Sequence, residues 1–315
     1  MSHEVETMAY SGEVPWHGLG KSVSNDLTPE EMLREAGLDW RVKKVPAFAM
    51  VGGSNVAVGR CALVRESDDH ILDIVSDDWN VLQNDKAFQF FVDFVTNGNM
   101  EMHTAGSLKN GSFVWALAKV KDSFDLFKGD RVDSYLLLTN PHKYGWSIDV
   151  RFTPIRVVCN NTLTLSLNSQ SKNFVKVSHR QEFNADEVKE MLGIAKEKLA
   201  KYKEMAAYLG SKRYNDLSLT TYFKEVFPVT GVDDEHKAKR QISRGASRAL
   251  DVIGNQPGSK FAEGSWWQAF NAVTYIMDHL HGRNQDNRMA SSWYGHGRKV
   301  KQDALESAIK FAEAA

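Results

Sequence analysis

The chain has 315 residues, of which 42% are hydrophobic and 25% are charged, and its formal net charge is −1. These proportions exclude a disordered chain and are typical of a folded globular protein. No apolar run reaches the roughly 18–20 residues that cross a bilayer. The first 20 residues carry acidic side chains where a signal peptide needs cations and an apolar stretch. We therefore expect a cytoplasmic protein with no membrane partner.

The charge is unevenly distributed along the chain. Residues 1–150 hold 14 Lys and Arg against 22 Asp and Glu, whereas the remainder holds 25 against 18. A cationic half favours a polyanionic partner, although a chance distribution is the alternative. Cys61 and Cys159 are too few for a disulfide framework or a complete zinc site, so we expect both to be reduced and buried, and we predict no cofactor.

The first half is predicted to be rich in strands. Thr28, Pro29 and Glu31 form a capping box that begins a short helix, and Gly37 ends it. A second helix is predicted from Asn84 to Asn97. Strands are predicted at about residues 55–64, 71–75, 112–120, 135–139, 147–152 and 155–159, the last two separated at Pro154.

The second half is predicted to be helical. A helix begins near Asn184 and carries apolar residues at 4-3 spacing: Val188, Leu192, Ala195, Leu199, Tyr202, Ala206 and Leu209. This seam fits a helix packed on its own domain better than homo-oligomerisation through residues 188–209, which remains the alternative. Further helices are predicted at about 235–253, 265–281 and 299–313.

These elements predict the α+β class, with a mainly antiparallel sheet in the N-terminal part and helices in the C-terminal part. We assign residues 1–180 to the sheet and two short helices. Residues 181–315 are assigned to a helical part that packs on the sheet as one integrated domain.

Three regions are candidates for nucleic-acid binding. In the first, Arg240, Arg244 and Arg248 recur every four residues of a predicted helix, where like charges repel one another. A phosphate backbone would relieve this repulsion, and carboxylates of the acidic half are an equally supported alternative.

The second candidate is the segment Gly282–Lys301, in which cations alternate with aromatic residues. Its candidate contacts are Arg283, Arg288, Trp293, Tyr294, Arg298 and Lys299, and Lys301 adds a further cation. Cations neutralise phosphates, and unpaired bases stack on aromatic faces. Equally, Trp293 and Tyr294 could fill the core while the charges face water.

The third candidate is the strand region 143–163, with Lys143, Tyr144, Trp146, Arg151 and Arg156. A sheet face bearing Arg and aromatic residues can serve as a nucleic-acid platform, but a half-buried antiparallel sheet is the favoured interpretation.

Catalytic signatures are absent from the sequence. The segment Pro15–Gly20 lacks the strand, the glycine spacing and the Lys-Ser/Thr ending of a phosphate loop, and His17 fits a hydrogen-bonded loop residue. His279 and His281 are two positions apart on a predicted helix and face different ways, which disfavours a metal site with Asp278. Cys159 has no evident base partner. The sequence therefore favours a protein that is not an enzyme.

Several stretches together resemble one family. They are Pro15–Gly20 (PWHGLG), Ala36–Trp40 (AGLDW), Arg156–Leu163 (RVVCNNTL), Val177–His179 (VSH), Asn271–His279 (NAVTYIMDH) and Tyr294–Gly297 (YGHG). The chain is similar in these to the phage/plasmid-like protein family built on a domain of unknown function, the one numbered 932. Ser178 departs from the Arg of the family pattern. The resemblance implies carriage on a phage, plasmid or integrated element and action in the host cytoplasm, but no activity.

The leading hypothesis is a nucleic-acid-binding protein that handles single-stranded DNA in replication or recombination, with strand annealing as one form. The competing hypothesis is a non-enzymatic protein-interaction or counter-defence factor that acts on a host protein.

Overall fold

The computed structural model describes residues 5–12, 19–121, 124–125, 127, 131–156, 161–162, 174–193, 195–229, 242–281, 291 and 295–314. Side chains are described in these ranges except at 124–125, 153–156, 161–162, 174, 191–193 and 195–201. The chain divides into two compact units whose segments alternate along the sequence. Unit 1 comprises Met1–Lys121, Ser134–Phe152 and Phe174–Ile194, and unit 2 comprises Asp122–Asp133, Thr153–Asn173 and Ala195–Ala315.

A single boundary at residue 180 does not reproduce this division. The packing of the helical part on the sheet stays a prediction.

The described strands, in chain order, are β1 (Val5–Ser11), β2 (Lys21–Val23), β3 (Val42–Val51), β4 (Ser54–Arg65), β5 (His70–Val75), β6 (Met100–Leu108), β7 (Phe113–Val120), β8 (Phe124–Asp125), β9 (Arg131–Pro141), β10 (Ile148–Arg156), β11 (Asn161–Thr162) and β12 (Phe174–Val177). The described helices are α1 (Pro29–Glu35), α2 (Asn84–Gln89), α3 (Val92–Thr96), α4 (Ala185–Gly193), α5 (Ala195–Ser211), α6 (Asp216–Val226), α7 (Arg244–Val252), α8 (Trp266–Tyr275) and α9 (His296–Glu313). A 3-10 turn covers Ser259–Ala262, and a π-helical turn covers Ile276–Leu280. The predicted α+β class is confirmed.

Unit 1 holds two sheets. In the larger one, the neighbouring strands run β10-β9-β7-β6-β1-β2, and β12 pairs with β10. The β1–β2 pair is parallel, whereas β1–β6, β6–β7, β7–β9 and β10–β12 are antiparallel. The smaller sheet has the order β3-β4-β5 and is antiparallel.

The elements of unit 1 follow local sequence signals in part. Helix α1 begins as predicted, with the Thr28–Glu31 capping box formed and Pro29 in the first position. The helix predicted over 84–97 is two short helices, α2 and α3. Strand β10 continues through Pro154 instead of breaking there. Phe88 of α2 is buried in the core of this unit, together with Phe90 and Phe91 of the turn between α2 and α3.

Unit 2 is built around α8. Trp266, Trp267 and Phe270 of this helix are buried, and the core around them also takes residues of α5, α6, α7 and α9. Its short strand pairs are β8 with the first residues of β9, and β11 with the last residues of β10.

The predicted apolar seam of residues 188–209 does not form one continuous surface. Val188 is buried in the core of unit 1, whereas Tyr202, Ala206 and Leu209 are buried in the core of unit 2. These four residues therefore make their contacts within their own chain, in line with the favoured interpretation of the seam.

Candidate nucleic-acid interface

The first candidate region centres on α7. This helix begins at Arg244, because Ser243 is extended and its hydroxyl accepts a hydrogen bond from the Ala246 N–H at 3.1 Å. The predicted continuous helix over 235–253 is therefore wrong, and Arg240 lies outside the described residues. Arg244 and Arg248 stand one turn apart on the exposed face, and Ala246 and Ala249 are buried on the opposite face as predicted.

Arg248 joins the first candidate region to the second. Its Nη1 donates a hydrogen bond of 2.9 Å to the carbonyl oxygen of Leu280, the last residue of the π-helical turn. The segment Gly282–Lys301 follows two residues later. Arg248 of the first candidate region is therefore held at a carbonyl that lies two residues before the second candidate region in the sequence.

The second candidate region resumes at the N-terminus of α9. The ring of His296 lies 5.9 Å from that of His281, between centroids, which ties the start of α9 to the end of the π-helical turn. Gly295 provides no side-chain cap, and the first turn contains no acidic residue. Instead it carries Arg298, which is partly buried, and Lys299, which is exposed.

Cations at this end of a helix are unfavourable. The dipole of α9 places partial positive charge at its N-terminus, so each nearby cation costs roughly 0.3–1 kcal/mol. A bound anion would reverse this repulsion and would also accept hydrogen bonds from main-chain N–H groups. We call Arg244, Arg248, Arg298 and Lys299 the basic cluster.

Lys301 does not belong to the basic cluster, although the sequence counts it among the cations of this segment. Its side chain is fully buried, and its Nζ lies 2.7 Å from Oδ1 of Asp278, which is also buried. Because Asp278 belongs to the π-helical turn, this ion pair fixes α9 against the turn from the inside. Lys301 therefore has a structural role.

The remaining residues of the second region lie outside the described part of the chain. They are Arg283, Arg288, Trp293 and Tyr294. Residues 13–18 and Cys159, which belong to other parts of the chain, also lie outside the described residues. Gly297 is buried in α9, where a Cβ would lie 3.2 Å from the Ser291 carbonyl oxygen. Close packing of the chain on itself accounts for this glycine.

The third candidate region lies in unit 1 and differs from expectation. Arg151 Nε lies 2.6 Å from Oδ1 of Asp149, and the two side chains are only 12% and 6% exposed. Arg151 is therefore largely covered and neutralised. The side chain of Arg156 lies outside the described residues.

The loop before β10 is more accessible. Tyr144 and Trp146 are exposed, and the guanidinium of Arg60 lies 5.4 Å from the centre of the Tyr144 ring. Gly145 between them has φ +80°, a conformation that favours glycine. An exposed aromatic pair beside a cation is suited to base stacking.

Unit 1 also contains a buried polar group centred on His142. The His142 Nε2 lies 3.0 Å from Asn84 Oδ1, and Asn140 donates to the Leu82 carbonyl oxygen at 2.8 Å. Complete burial lowers the pKa of His142 to about 3, so the ring is neutral at physiological pH. A buried neutral imidazole with no route to a substrate is typical of a structural role.

Other reactive side chains are held by structural contacts. The Cys61 thiol donates to Asp77 Oδ1 at 2.8 Å, and this bond raises its pKa, which disfavours a thiolate nucleophile. The rings of His279 and His281 lie beside different residues, Tyr275 and His296. Within the described ranges, no three His, Cys, Asp or Glu side chains come together as a metal site.

Two residues of these surfaces were not found from the sequence. No sequence pattern singled out His296, which lies between Gly295 and Gly297 and is the first residue of α9. Arg60 precedes a buried stretch of β4, and no local pattern links it to Tyr144, 84 positions later. The absence of a capping residue before a basic helical turn is the one signal that could have identified the α9 N-terminus.

Comparison with known families adds one finding. The model of the family described as "Domain of unknown function (DUF932)" matches residues 71–298, which is more than half of the chain and includes the three arginines of the basic cluster but not Lys299. No curated protein and no solved structure matches the sequence. In the part of the chain that the structure describes, none of the helices has the length and apolar character to span a bilayer.

Proposed function

Since the chain belongs to the family defined by a domain of unknown function, DUF932, we propose its role from its surface: it binds single-stranded nucleic acid, with DNA favoured, through the basic cluster. The proposal includes carriage on a phage or plasmid, which the sequence resemblance implies, and adds a role in replication or recombination in the host cytoplasm.

The observation that carries this proposal is the hydrogen bond from Arg248 to Leu280. It brings Arg248 of α7 to the end of the π-helical turn, where the His281–His296 ring contact also brings the start of α9. The first turn of α9 contains no acidic residue and carries the exposed Lys299. A polyanion is the ligand that relieves the repulsion among these cations and also favours the helix N-terminus.

Single strands are favoured over duplexes by the aromatic residues of the second candidate region, where the sequence places Trp293 and Tyr294 among the cations. Unpaired bases gain roughly 1–3 kcal/mol each when they stack on such rings, whereas the bases of a duplex are already stacked. Within unit 1, Tyr144 and Trp146 are exposed beside Arg60 and are a candidate for stacking on that unit alone.

The test is a titration of the full-length protein into a labelled single-stranded oligonucleotide and into the matched duplex, followed by fluorescence anisotropy. With four cations on phosphates, the affinity for the single strand should fall by roughly 50-fold between about 50 mM and 200 mM salt. Undetectable binding at the lower salt would overturn the proposal, and equal affinities would overturn its restriction to single strands.

A protein-interaction or counter-defence factor remains the competing candidate. A purification from producing cells separates the two, since nuclease treatment should release the co-purifying proteins only if nucleic acid bridges them. Partners that stay bound after nuclease, together with no oligonucleotide binding, would favour the competing candidate.

A further inference from the structure

The smaller sheet of unit 1 extends into a two-stranded ribbon. Strand β5 pairs with β4 only over residues 61–65. Beyond this point β3 and β4 pair with each other alone, with Phe48 opposite Ala57 and Val51 opposite Ser54. Every residue from Val51 to Arg60 is exposed.

The ribbon is apolar on both faces. Phe48 and Met50 are 59% and 77% exposed on one face, and Val51 and Val56 are exposed on the other. Isolated exposed apolar residues are ordinary, but a contiguous group of this kind marks an interaction surface. A two-stranded ribbon is also marginally stable alone in water, which favours an added strand.

The charge pattern excludes several partners. Residues 45–59 contain no charged side chain, so the ribbon offers nothing to phosphates or to a charged protein surface. The flanking cations are engaged at its base: Lys43 pairs with Asp69, Lys44 donates to main-chain carbonyls, and Arg60 lies over Tyr144. A bilayer is disfavoured because the open strand edges would leave main-chain groups without hydrogen bonds in lipid.

We propose that this ribbon, residues 45–59, is a self-association surface, and that the outer edge of β3 pairs in antiparallel fashion with the same edge of a second copy of the chain. Strand β3 is the terminal strand of its sheet over its whole length among the described strands, whereas β5 covers part of the outer edge of β4. The longer open edge is therefore that of β3.

A second copy continues the apolar character of this edge, and Pro46, which has no N–H, contributes only its carbonyl oxygen to the pairing. With the two-fold axis at Phe48, Val45 lies opposite Val51, Pro46 opposite Met50 and Ala47 opposite Ala49. Directly opposed residues of an antiparallel pair lie on the same face, so each apolar face continues into its copy.

The same register keeps the cations apart. Lys44 lies opposite Gly52 of the second copy, which separates the two Lys44 residues by roughly 27 Å, well beyond the Debye length in physiological salt. The uncharged strand therefore meets an uncharged strand of equal length, and no like charges oppose each other.

The first test measures the mass of the full-length protein in solution by light scattering across a range of concentrations. The wild type should reach twice the chain mass of 35.5 kDa, and the double variant Phe48→Lys/Met50→Lys should remain at 35.5 kDa. The control is Leu217→Lys, since Leu217 is a 79% exposed residue of α6 in unit 2 and its change should leave the mass at the wild-type value. A monomeric wild type, or a double variant that still dimerises, would overturn the proposal.

The second test fixes the register and does not depend on added charge. In Phe48→Cys, the two new thiols of the dimer lie roughly 5 Å apart across the paired strands. In Met50→Cys, the two new thiols lie roughly 14 Å apart. A short bis-maleimide should link the first variant and not the second, with the wild type as the background for Cys61 and Cys159. Equal linking of both variants, or of neither, would contradict this edge and register.

Discussion

Two arginines of the unit 1 sheets pair with carboxylates, whereas Arg244 and Lys299 of the unit 2 helices lie at the surface. Arg151 pairs with Asp149, and Arg65 lies 2.8 Å from Glu6 and 2.7 Å from Asp68. In contrast, Arg244 and Lys299 are exposed on helices whose first turns hold no acidic residue. Side chains two positions apart share one face of a strand, so Asp149 reaches Arg151. Neighbouring carboxylates therefore decide whether a cation is available to a ligand.

The largest expected effect is on the free energy of unfolding and concerns Lys301, the buried lysine of unit 2. Lys301→Met leaves the carboxylate of Asp278 buried without its partner, which should lower the free energy of unfolding by about 3–5 kcal/mol. Lys299→Met, two positions earlier, should change it by less than about 0.5 kcal/mol because the side chain is exposed. Urea denaturation measures both.

The double variant Lys301→Met/Asp278→Leu is the control for the ion pair. It removes both charges and should recover most of the loss of the single variant. Equal stabilities of the Lys301 and Lys299 variants would show that the two lysines do not differ as described.

The next effect is the pH dependence of the free energy of unfolding, to which His142 of unit 1 contributes. The unfolded chain takes up a proton at His142 near its ordinary pKa of 6.5, whereas the folded chain does so only at about 3. The unfolded state therefore binds more protons between these values, so stability falls as the pH falls below 6.5, with a slope of up to about 1.4 kcal/mol per pH unit. Urea titrations from pH 7 to pH 5 should show a shallower dependence in His142→Gln than in the wild type. A His142 variant with the full wild-type slope would exclude His142 as the origin of the acid sensitivity.

A smaller effect is expected at Arg151. Arg151→Met removes the partner of Asp149, but the Arg151 side chain is 12% exposed where that of Lys301 is fully buried. Water can reach this site more readily, so the loss should be about 2 kcal/mol. The affinity of Arg151→Met for an oligonucleotide at neutral pH should equal that of the wild type. If this variant instead keeps the wild-type stability and binds the oligonucleotide more weakly, Arg151 belongs to the interface.

The sequence predicted those parts of the fold that local chemistry determines. The α1 capping box, strands β4 and β5 of the smaller sheet and the buried face of α7 were all visible as short patterns. Strand β6 was not visible as a short pattern, because Gly106 inside it is not a residue that favours strands. A Cβ at this glycine would lie 2.5 Å from the Thr7 carbonyl oxygen, so a tertiary contact selects the residue.

The candidate site was predictable in composition but not in arrangement. The sequence identified the cations of α7 and α9, yet the burial of Lys301 depends on Asp278, 23 residues away, and the contact of Arg248 with Leu280 spans 32 residues. Neither separation fits a local period. The family resemblance is confirmed over residues 71–298.

The most direct test of the basic cluster compares two triple variants of unit 2 that remove the same charge. Arg244→Ala/Arg248→Ala/Lys299→Ala changes the cluster, and Lys224→Ala/Lys260→Ala/Lys310→Ala changes three exposed lysines elsewhere in the unit. The measurement is the dependence of log affinity for a single-stranded oligonucleotide on log salt concentration. The cluster variant should have a slope shallower by about 2 than the wild type, because three phosphate contacts are lost, and the lysine variant should retain the wild-type slope. Equal slopes for the two variants would contradict the assignment of the basic cluster as the binding surface.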